Sequence, residues 1–259
     1  MNLLRRYARG EAAAFPDGLV GYAVGDIHGR ADLLERMLDK LESVAETERR
    51  HSGEPIVVFL GDYIDRGPES ARVLDLLIDG RPRGYERRYL RGNHEQSMLA
   101  FLDDPVRNLG WVRHGGAETL LSYGIKPPGL VQPSAAHLAA AAEALRDKLP
   151  QAHRDFLDGL QRYVVLGDYV FVHAGVDFAR PIEQQTDEDL YWARARFLKG
   201  RQRFSHRVVH GHTPASGPHA DERRVGVDTG AYTTGVLTAA RFEGADVSFI
   251  TAEHRAASQ

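Results

Sequence analysis

The chain contains no cysteine. Disulfides, zinc sites built on thiolates and cysteine nucleophiles are therefore excluded together. No apolar run approaches the roughly 18 residues that a membrane-spanning helix needs. Segment 1–18 carries Arg5, Arg6 and Arg9 but lacks the apolar core and small-residue cleavage site of a secretory signal. We therefore expect a cytoplasmic protein with no membrane partner.

An excess of positive charge is also missing. The 33 Lys and Arg residues stand against 36 Asp and Glu residues, for a formal net charge of -3. Generic binding to nucleic acid therefore has no electrostatic support. Hydrophobic residues make up 42% and charged residues 27% of the 259 positions, which is typical of a folded globular protein. The length suits one large or two small domains.

The first hundred residues repeat one pattern three times: an apolar run, a glycine with a polar residue, and an amphipathic stretch. The apolar runs are 19–24, 56–60 and 85–90. Helical spacing follows the first two over 33–50 and 73–80, and a third helix is predicted from Met98 onward. This order is typical of βαβ units, whose polar loops lie at the carboxyl ends of parallel strands.

The rest of the chain changes character at about residue 103. We interpret 103–161 as a helical insertion or cap, with helices over 134–148 and 151–160. Mostly strands are predicted after it, because short apolar runs alternate with glycine-containing turns. The predicted strands are 163–166, 169–173, 207–209, 225–227, 236–242 and 247–251.

Five short segments that follow predicted strands concentrate metal-competent side chains. They are Gly25-Asp26-Ile27-His28-Gly29, Gly61-Asp62-Tyr63-Ile64-Asp65-Arg66-Gly67, Gly92-Asn93-His94-Glu95, His173-Ala174-Gly175 and Gly211-His212-Thr213-Pro214. Any one alone is weak evidence, but the first three would occur together by chance at a rate of roughly one in a hundred million. We therefore interpret the five segments as one functional set.

These motifs and their order resemble the metallophosphatase superfamily, and within it the phosphoprotein phosphatase family of serine/threonine and bacteriophage-type protein phosphatases. The resemblance implies an α/β metallophosphatase fold, with two mixed β-sheets packed as a sandwich and flanked by helices. It also implies one metallophosphoesterase domain over 1–259, with the helical cap inserted at about 103–161. The motifs extend from Asp26 to Asp228 and so frame most of the chain.

The same resemblance implies two divalent metal ions. Asp26, His28 and Asp62 would hold the first ion, and Asp62, Asn93, His173 and His212 the second, so that Asp62 bridges them. Imidazole, carboxylate and amide donors without thiolate suit Mn, Fe or Zn ions better than Mg. We expect Mn²⁺ and no nucleotide cofactor.

The expected reaction is hydrolysis of a phosphoester without a covalent phosphoenzyme. A hydroxide that bridges the two ions would attack phosphorus in line. Arg66 lies beside a ligand loop, and Arg194 is identified only by its resemblance to the Trp-x-Arg of phage-type phosphatases; both would hold phosphate oxygens. His94 would protonate the leaving oxygen, with Asp65 orienting its imidazole.

Asp65 and Glu95 favour a phosphoprotein as the substrate, with phosphoserine, phosphothreonine and phosphotyrosine all left open. The related symmetrical dinucleoside tetraphosphate hydrolases resemble Gly-Asp-x-x-Ala-Arg-Gly and Gly-Asn-His-Asp instead. That activity, or a generic activity on small phosphomonoesters, is the alternative. A non-catalytic metal-binding scaffold is disfavoured because every ligand and catalytic position is filled, and a nuclease is disfavoured by the charge balance.

The roles of two residues have alternative interpretations. His210 lies two residues before His212, so either imidazole could face the metal, and the Gly-His-Thr-Pro resemblance favours His212. Arg66 could instead be a structural partner of Asp65.

Several further residues are interpreted as structural. Asp168 follows Gly167 between two predicted strands and is expected to be a hairpin turn residue. Asp228 is interpreted as support for the site rather than as a ligand. The remaining histidines, His114 among them, are expected to be ordinary surface or partly buried residues.

Overall fold

The computed structural model describes residues 11–129 and 131–254. Arg5, Arg6 and Arg9 of the amino-terminal segment lie outside the described residues. Ten strands are β1 Val20–Val24, β2 Ile56–Phe59, β3 Glu86–Tyr89, β4 Val164–Leu166, β5 Tyr169–Phe171, β6 Arg207–His210, β7 His219–Ala220, β8 Arg224–Gly226, β9 Val236–Glu243 and β10 Asp246–Glu253 among the described residues.

The helices surround these strands. They are α1 Ala31–Ser52, α2 Ser70–Ile78, α3 Asn93–Asp103, α4 Ala117–Ser122, α5 Ala135–Lys148, α6 Gln151–Asp158, α7 Asp187–Trp192, α8 Ala195–Lys199 and α9 Ala231–Thr234. A π-type turn at Val112–Gly116 precedes α4, and a short 3₁₀ turn covers Ile182–Gln184.

The strands form two mixed sheets. The first has the order β10-β9-β1-β2-β3, in which β1, β2 and β3 are parallel and β9 and β10 are antiparallel. The second has the order β4-β5-β6-β8-β7, in which β5, β6 and β8 are parallel. The α/β class and the two mixed sheets predicted from the sequence are confirmed.

Aromatic and aliphatic side chains fill the space between the sheets. Phe242 of β9 packs against Tyr169 and Phe171 of β5, with ring centroids 5.1 and 5.5 Å apart. Val58 from the first sheet and Val209 from the second are fully buried in the same cluster. Burial of these side chains drives the two sheets together and fixes the relative position of their strand ends.

The outer face of the first sheet is covered by α1, α2 and α3. Leu33, Met37 and Leu41 of α1 are fully buried there, as the helical spacing predicts. Leu145 of α5 and Leu157 of α6 join the same cluster. The two longer helices of segment 103–161 therefore add to this core.

The structure corrects several predicted boundaries. Helix α3 begins at Asn93 rather than near Met98, because extended Gly92 precedes it and the Glu95 carboxylate in its first turn accepts a hydrogen bond from the Gly92 backbone N–H. Strand β7 was not predicted, because its two residues are too few to show the alternation typical of a strand. Helix α7 was not predicted, although Thr186 and Asp189 form a capping box that the sequence carries. Within the described residues, no helix combines the length and apolar character needed to cross a bilayer.

Candidate metal and phosphate site

The candidate site lies at the carboxyl ends of β1, β2 and β3 in one sheet and of β5 and β6 in the other. Each of the five polar segments begins within three residues of such a strand end. The segments have unusual backbone conformations: among the described residues, all five non-glycine residues with positive φ belong to them. They are His28, Asp62, Asp65, Arg66 and His212. Such strained conformations concentrate at functional sites, where the surrounding structure enforces them.

One half of the site gathers Asp62, Asn93, His173 and His212. Nε2 of His173 lies 2.9 Å from the Asn93 side-chain oxygen and 3.4 Å from Oδ2 of Asp62. Nδ1 of His212 lies 2.8 Å from the same Asn93 oxygen. Nδ1 of His173 bonds to the carbonyl of Leu60 at 2.8 Å, which orients Nε2 towards the other donors.

The other half contains His28 beside Asp62. Nε2 of His28 lies 3.5 Å from Oδ2 of Asp62, and Nδ1 of His28 lies 3.0 Å from the carbonyl oxygen of Ile64. Asp26 points its carboxylate at the backbone N–H of His212, at 3.1 and 3.0 Å. Asp26 therefore lies against the backbone of His212.

The structure holds two groups of residues whose metal-ligand atoms all lie within 4.8 Å of one another inside each group, and Asp62 belongs to both groups. The first is His28, Asp62 and His94, and the second is Asp62, His173 and His212. The sequence predicted Asp26 as the third ligand beside His28 and Asp62, whereas this group contains His94 instead. We favour a different role for His94, because its Nδ1 is bonded to Asp65 at 2.6 Å while its Nε2 is 4.0 Å from Asp62.

The electrostatics fit divalent cations. Asp26, Asp62 and Asp228 are all at most 5% exposed. Burial, with the charges of Asp228 and Asp62, raises the pKa of Asp26 well above its usual range. Burial also lowers the pKa of His28 and of His212 to about 3, so both imidazoles are neutral and able to bind metal. Buried carboxylates beside neutral imidazoles form a donor set that cations stabilise.

Asp65 and His94 form a buried pair next to the shared carboxylate. Oδ2 of Asp65 accepts a hydrogen bond from Nε1 of Trp111 at 2.8 Å, and Oδ1 accepts one from the Thr119 hydroxyl at 2.6 Å. Burial by itself would lower the pKa of His94, but the charge of Asp62 and the hydrogen bond to Asp65 outweigh it and raise that pKa to about 9. The pair can therefore hold a proton at His94 near neutral pH.

Both predicted arginines contact site residues. Nη2 of Arg66 lies 3.2 Å from Nε2 of His94, and its guanidinium lies 4.8 Å from the ring centre of Tyr232. Nε of Arg194 donates to Nε2 of His212 at 3.1 Å. The structure thus brings all ten predicted metal-binding and catalytic residues into one network of contacts.

Sequence reasoning missed the role of Glu95, which it used only as a family marker. Its fully buried carboxylate accepts hydrogen bonds from the backbone N–H groups of Gly92 and Asp62 at 2.9 Å and of Tyr63 at 2.8 Å. The spacing from Gly92 to Glu95 is that at which a glutamate in the first turn of a helix accepts a hydrogen bond from the N-cap backbone, so half of the local capping signal was present. Trp111 and Thr119 carried no such signal.

The alternatives at single positions separate in space. Nδ1 of His210 lies 3.0 Å from the carbonyl oxygen of Gly211, and its Nε2 accepts a hydrogen bond from Arg224 at 3.1 Å, whereas His212 contacts Asn93. Asp168 accepts a hydrogen bond from the backbone N–H of Ala14, next to the turn that joins β4 and β5. Asp228 accepts one from Gly230.

A cavity of about 420 Å³ opens beside His94. It is lined by Arg66, Asn93, His94, Ser97, Arg107, Asn108, Gly110, Trp111, His114, Trp192 and Arg194. Three arginines and no carboxylate line it, although the whole chain is slightly acidic. The cavity is therefore suited to an anion. A wider groove of about 650 Å³ between α1, α2 and α6 includes none of the predicted site residues.

Comparison with known proteins supports this chemistry. The model of the family described as calcineurin-like phosphoesterase matches residues 22–247. The asymmetrical bis(5'-nucleosyl)-tetraphosphatase PrpE of Bacillus velezensis is 27% identical over 243 residues, which are 85% of this chain and 87% of that protein. A predicted serine/threonine-protein phosphatase of Caenorhabditis elegans is 41% identical over 73 residues, which are 28% of this chain and 18% of that one.

A solved structure shares the fold over most of its length. It is the crystal structure of a predicted diadenosine tetraphosphatase, with a TM-score of 0.59 and 21% identity, covering 90% of this chain and 93% of the other. At this identity the likeness shows the fold alone. In sequence, the match to the Caenorhabditis protein covers a short segment, whereas the match to PrpE covers 85% of the chain. In fold, a cold-active protein tyrosine phosphatase is as similar as the tetraphosphatase structure, with a TM-score of 0.59 and 16% identity over 91% of this chain.

Proposed function

Because the chain belongs to the calcineurin-like phosphoesterase family, we propose that this phosphoester hydrolase acts on dinucleoside tetraphosphates. The observation that carries the proposal is the cavity beside His94, which Arg66, Arg107 and Arg194 line without any carboxylate. A polyphosphate chain carries several negative charges along its length, and arginine matches phosphate oxygens with two parallel hydrogen bonds. Tetraphosphatase relatives that match 85% of the chain support the same choice.

The residues that would hold the metal ions are Asp26, His28, Asp62, Asn93, His173 and His212. A mixed oxygen and nitrogen donor set without thiolate fits two divalent ions, and we propose Mn²⁺. When bound, such a pair lowers the pKa of water and neutralises charge on the phosphate. Within this set Asp62 is placed to serve both halves, since its carboxylate contacts His28 and His173.

The side chains around the metal positions would orient and protonate the substrate. Arg66 and Arg194 hold oxygens of the reacting phosphate from the two sides on which they contact His94 and His212. Once Arg66 binds a phosphate oxygen, Nε2 of His94 is free to donate its proton to the leaving oxygen. Asp65 keeps the imidazole in position and stabilises its charged form.

A phosphoprotein is the second candidate substrate. Asp65 and Glu95 are the residues that favoured protein phosphatases in the sequence, and Asp65 lies 2.6 Å from His94. The 73-residue similarity to the Caenorhabditis protein points the same way. Both substrates would use the same phosphate-binding arginines, so activity has to separate them.

The test is a direct comparison of substrates in the presence of Mn²⁺. Diadenosine tetraphosphate is incubated with the protein and the nucleotides are separated by anion exchange. Asymmetrical cleavage yields ATP and AMP, and symmetrical cleavage yields two ADP. Phosphate release from phosphoserine, phosphothreonine and phosphotyrosine peptides is measured in parallel, with His94→Asn as the background control.

We expect kcat/KM for the tetraphosphate to exceed that for every peptide by about tenfold or more, a difference of ~1.4 kcal/mol in transition-state binding. Preference for a peptide would replace the proposal with a phosphoprotein phosphatase. Bound metal without hydrolysis of any substrate would indicate a binding protein, and cleavage of single-stranded DNA would indicate a nuclease.

A further inference from the structure

We propose that Arg107 binds a second phosphate group of the substrate, next to the reacting phosphate that Arg66 and Arg194 hold. The inference rests on the proposed function, because only a substrate with linked phosphates offers that second group. The cavity beside His94 would then be a subsite for a neighbouring phosphate, and Arg107 would select polyphosphates over monoesters.

Part of the cavity wall comes from one short segment. Arg107, Asn108, Gly110, Trp111 and His114 all line it, and all lie between α3 and α4. His114, expected from the sequence to be an ordinary residue, is therefore part of the cavity wall. This segment belongs to the predicted insertion, so the insertion supplies one side of the anion cavity.

The segment is held rigidly against the catalytic loop. The Trp111 indole donates to Asp65 at 2.8 Å, and the backbone N–H of Arg66 donates to the carbonyl of Gly115 at 3.1 Å. A Cβ on Gly115 would lie only 2.7 Å from Cγ of Arg66 and 3.2 Å from Cβ of Asp65. The wall that carries Arg107 therefore keeps a set position relative to His94, as a subsite requires.

The charge of Arg107 is available to a ligand. Its side chain is exposed, and among the described residues its guanidinium takes part in no salt bridge, whereas its backbone N–H bonds to Asp104 at 3.0 Å. Asn108 on the same wall already donates both to Ala100 and to Asp104. The cavity lining offers this guanidinium no carboxylate partner, and a phosphate oxygen would satisfy it.

A monoester would leave this third arginine without a phosphate. Its one phosphate is already reached by Arg66 and Arg194, each of which contacts a residue of the metal half or the acid pair. Arg107 lines the same cavity from a separate segment of the chain, and we assign it to a phosphate beyond the reacting one. The proposed subsite therefore discriminates by the number of linked phosphates.

Two probes that differ by one phosphonate group test the subsite. Methylenediphosphonate has a P–C–P bridge that is not hydrolysed, and methylphosphonate offers a single group. Binding of each is measured by isothermal titration calorimetry on the Mn²⁺-loaded protein at fixed free Mn²⁺. The chain has two tryptophans, Trp111 and Trp192, and both line the cavity, so tryptophan fluorescence reports whether a probe occupies it.

The variant is Arg107→Gln, and its matched control is Arg113→Gln. Arg113 comes from the same segment but donates to the carbonyl of Val131 and does not line the cavity. In the unmodified protein and in the control, we expect the diphosphonate to bind about tenfold more tightly than the monophosphonate, the gain typical of one charge-assisted hydrogen bond. In Arg107→Gln we expect that preference to fall to within about twofold.

Equal binding of the two probes, or a preference that survives Arg107→Gln, would overturn the subsite. The outcome is separable from the proposed function. If Arg107 governs the probe preference while diadenosine tetraphosphate is not cleaved, the subsite stands and the substrate is a different polyphosphate. If the tetraphosphate is cleaved without any dependence on Arg107, the function stands and the subsite is wrong.

Discussion

Asp65 shows how one residue can link the catalytic loop to a distant segment. Its carboxylate is fully buried and accepts hydrogen bonds from His94, Trp111 and Thr119. A buried carboxylate with three donors is held in a single orientation. Its negative charge is therefore directed at the imidazole that we propose as the acid.

Substitution of Asp65 tests this arrangement. We expect Asp65→Asn to reduce kcat by about 100-fold or more on substrates with poor leaving groups, because the neutral amide no longer stabilises the charged imidazole of His94. Metal content should persist, since Asp65 is not among the proposed ligands. The measurement is turnover of aryl phosphates of increasing leaving-group pKa, together with metal analysis of the purified variant.

Asp168→Asn is the matched control. Asp168 is also buried, at 5% exposure, but it bonds to Ala14 away from the site. It should keep kcat within about twofold of the unmodified protein. Equal losses in the two variants would mean that Asp65 acts through stability alone, and unchanged turnover in Asp65→Asn would remove it from the mechanism.

At the scale of elements, the first turn of α3 holds the loop after β2. Oε1 of Glu95 accepts from Tyr63, and Oε2 accepts from both Asp62 and Gly92. The helix thereby fixes the backbone of the residue that both metal positions share. This explains why α3 begins at Asn93: the site residues are its first turn, and the turn is stabilised by contacts to another loop.

Glu95→Gln should weaken this link. Both carboxylate oxygens of Glu95 accept from backbone N–H groups, so an amide NH₂ in either position leaves at least one N–H group without an acceptor. The expected cost is about 1–3 kcal/mol in the free energy of unfolding. Metal affinity should fall as well, because the Asp62 backbone is released. Urea unfolding and metal titration provide the two measurements.

The control is Glu143→Gln on the exposed face of α5. The same chemical change there should alter the free energy of unfolding by no more than about 0.5 kcal/mol. If the two variants were equally stable, the hydrogen bonds of Glu95 would not contribute as the structure indicates.

The close approach of segment 107–115 to the catalytic loop depends on Gly115. Its φ is 118°, and an added Cβ would meet Cγ and the backbone nitrogen of Arg66 at 2.7 and 2.9 Å. We expect Gly115→Ala to destabilise the protein by about 3 kcal/mol through backbone strain and overpacking. It should also lower kcat, because Trp111 and Arg66 would be displaced.

Gly124→Ala separates strain from contact. Gly124 also has a positive φ of 67°, but its nearest neighbour would be Nζ of Lys148 at 3.4 Å. It should cost about 1 kcal/mol and leave kcat unchanged. Urea denaturation and turnover would be measured for both. Normal kcat in Gly115→Ala would show that the active site does not need this close approach.

At the scale of the whole molecule, the site exists only where the two sheets meet. Asp62 follows a strand of the first sheet, and His173 and His212 follow strands of the second. Divalent ions bound between them would connect the two halves of the sandwich. Ligands that bind only the folded state stabilise it according to their concentration and affinity.

Metal removal should therefore lower stability as well as activity. At a metal concentration about 100 times Kd, each ion contributes ~2.7 kcal/mol, so chelation of both ions should lower Tm by roughly 10 °C or more. Added Mn²⁺ should restore Tm with a stoichiometry of two. Asp62→Asn should abolish this response, whereas Asp168→Asn should retain it. A stoichiometry of one, or an unchanged Tm after chelation, would contradict a shared dinuclear site.

Much of the fold was predictable because its signals are local. The helical spacing of Leu33, Met37 and Leu41 predicted α1, and apolar runs predicted nine of the ten described strands to within two residues at each end. Helix α3 was misplaced because its first turn is polar and is stabilised by the loop around Asp62. Segment 112–116 has no periodic pattern, and its conformation depends on packing against Arg66.

The sequence by itself determined the α/β class and the kinds of side chain that meet at the strand ends, because strand alternation, glycine turns and donor types can be read from neighbouring residues. Only the tertiary structure decided that Trp111 and Thr119, 46 and 54 positions after Asp65, hold its carboxylate. It also decided that Arg107 faces the same cavity as His94. Contacts of this range depend on the path of the whole backbone, and no local pattern specifies that path.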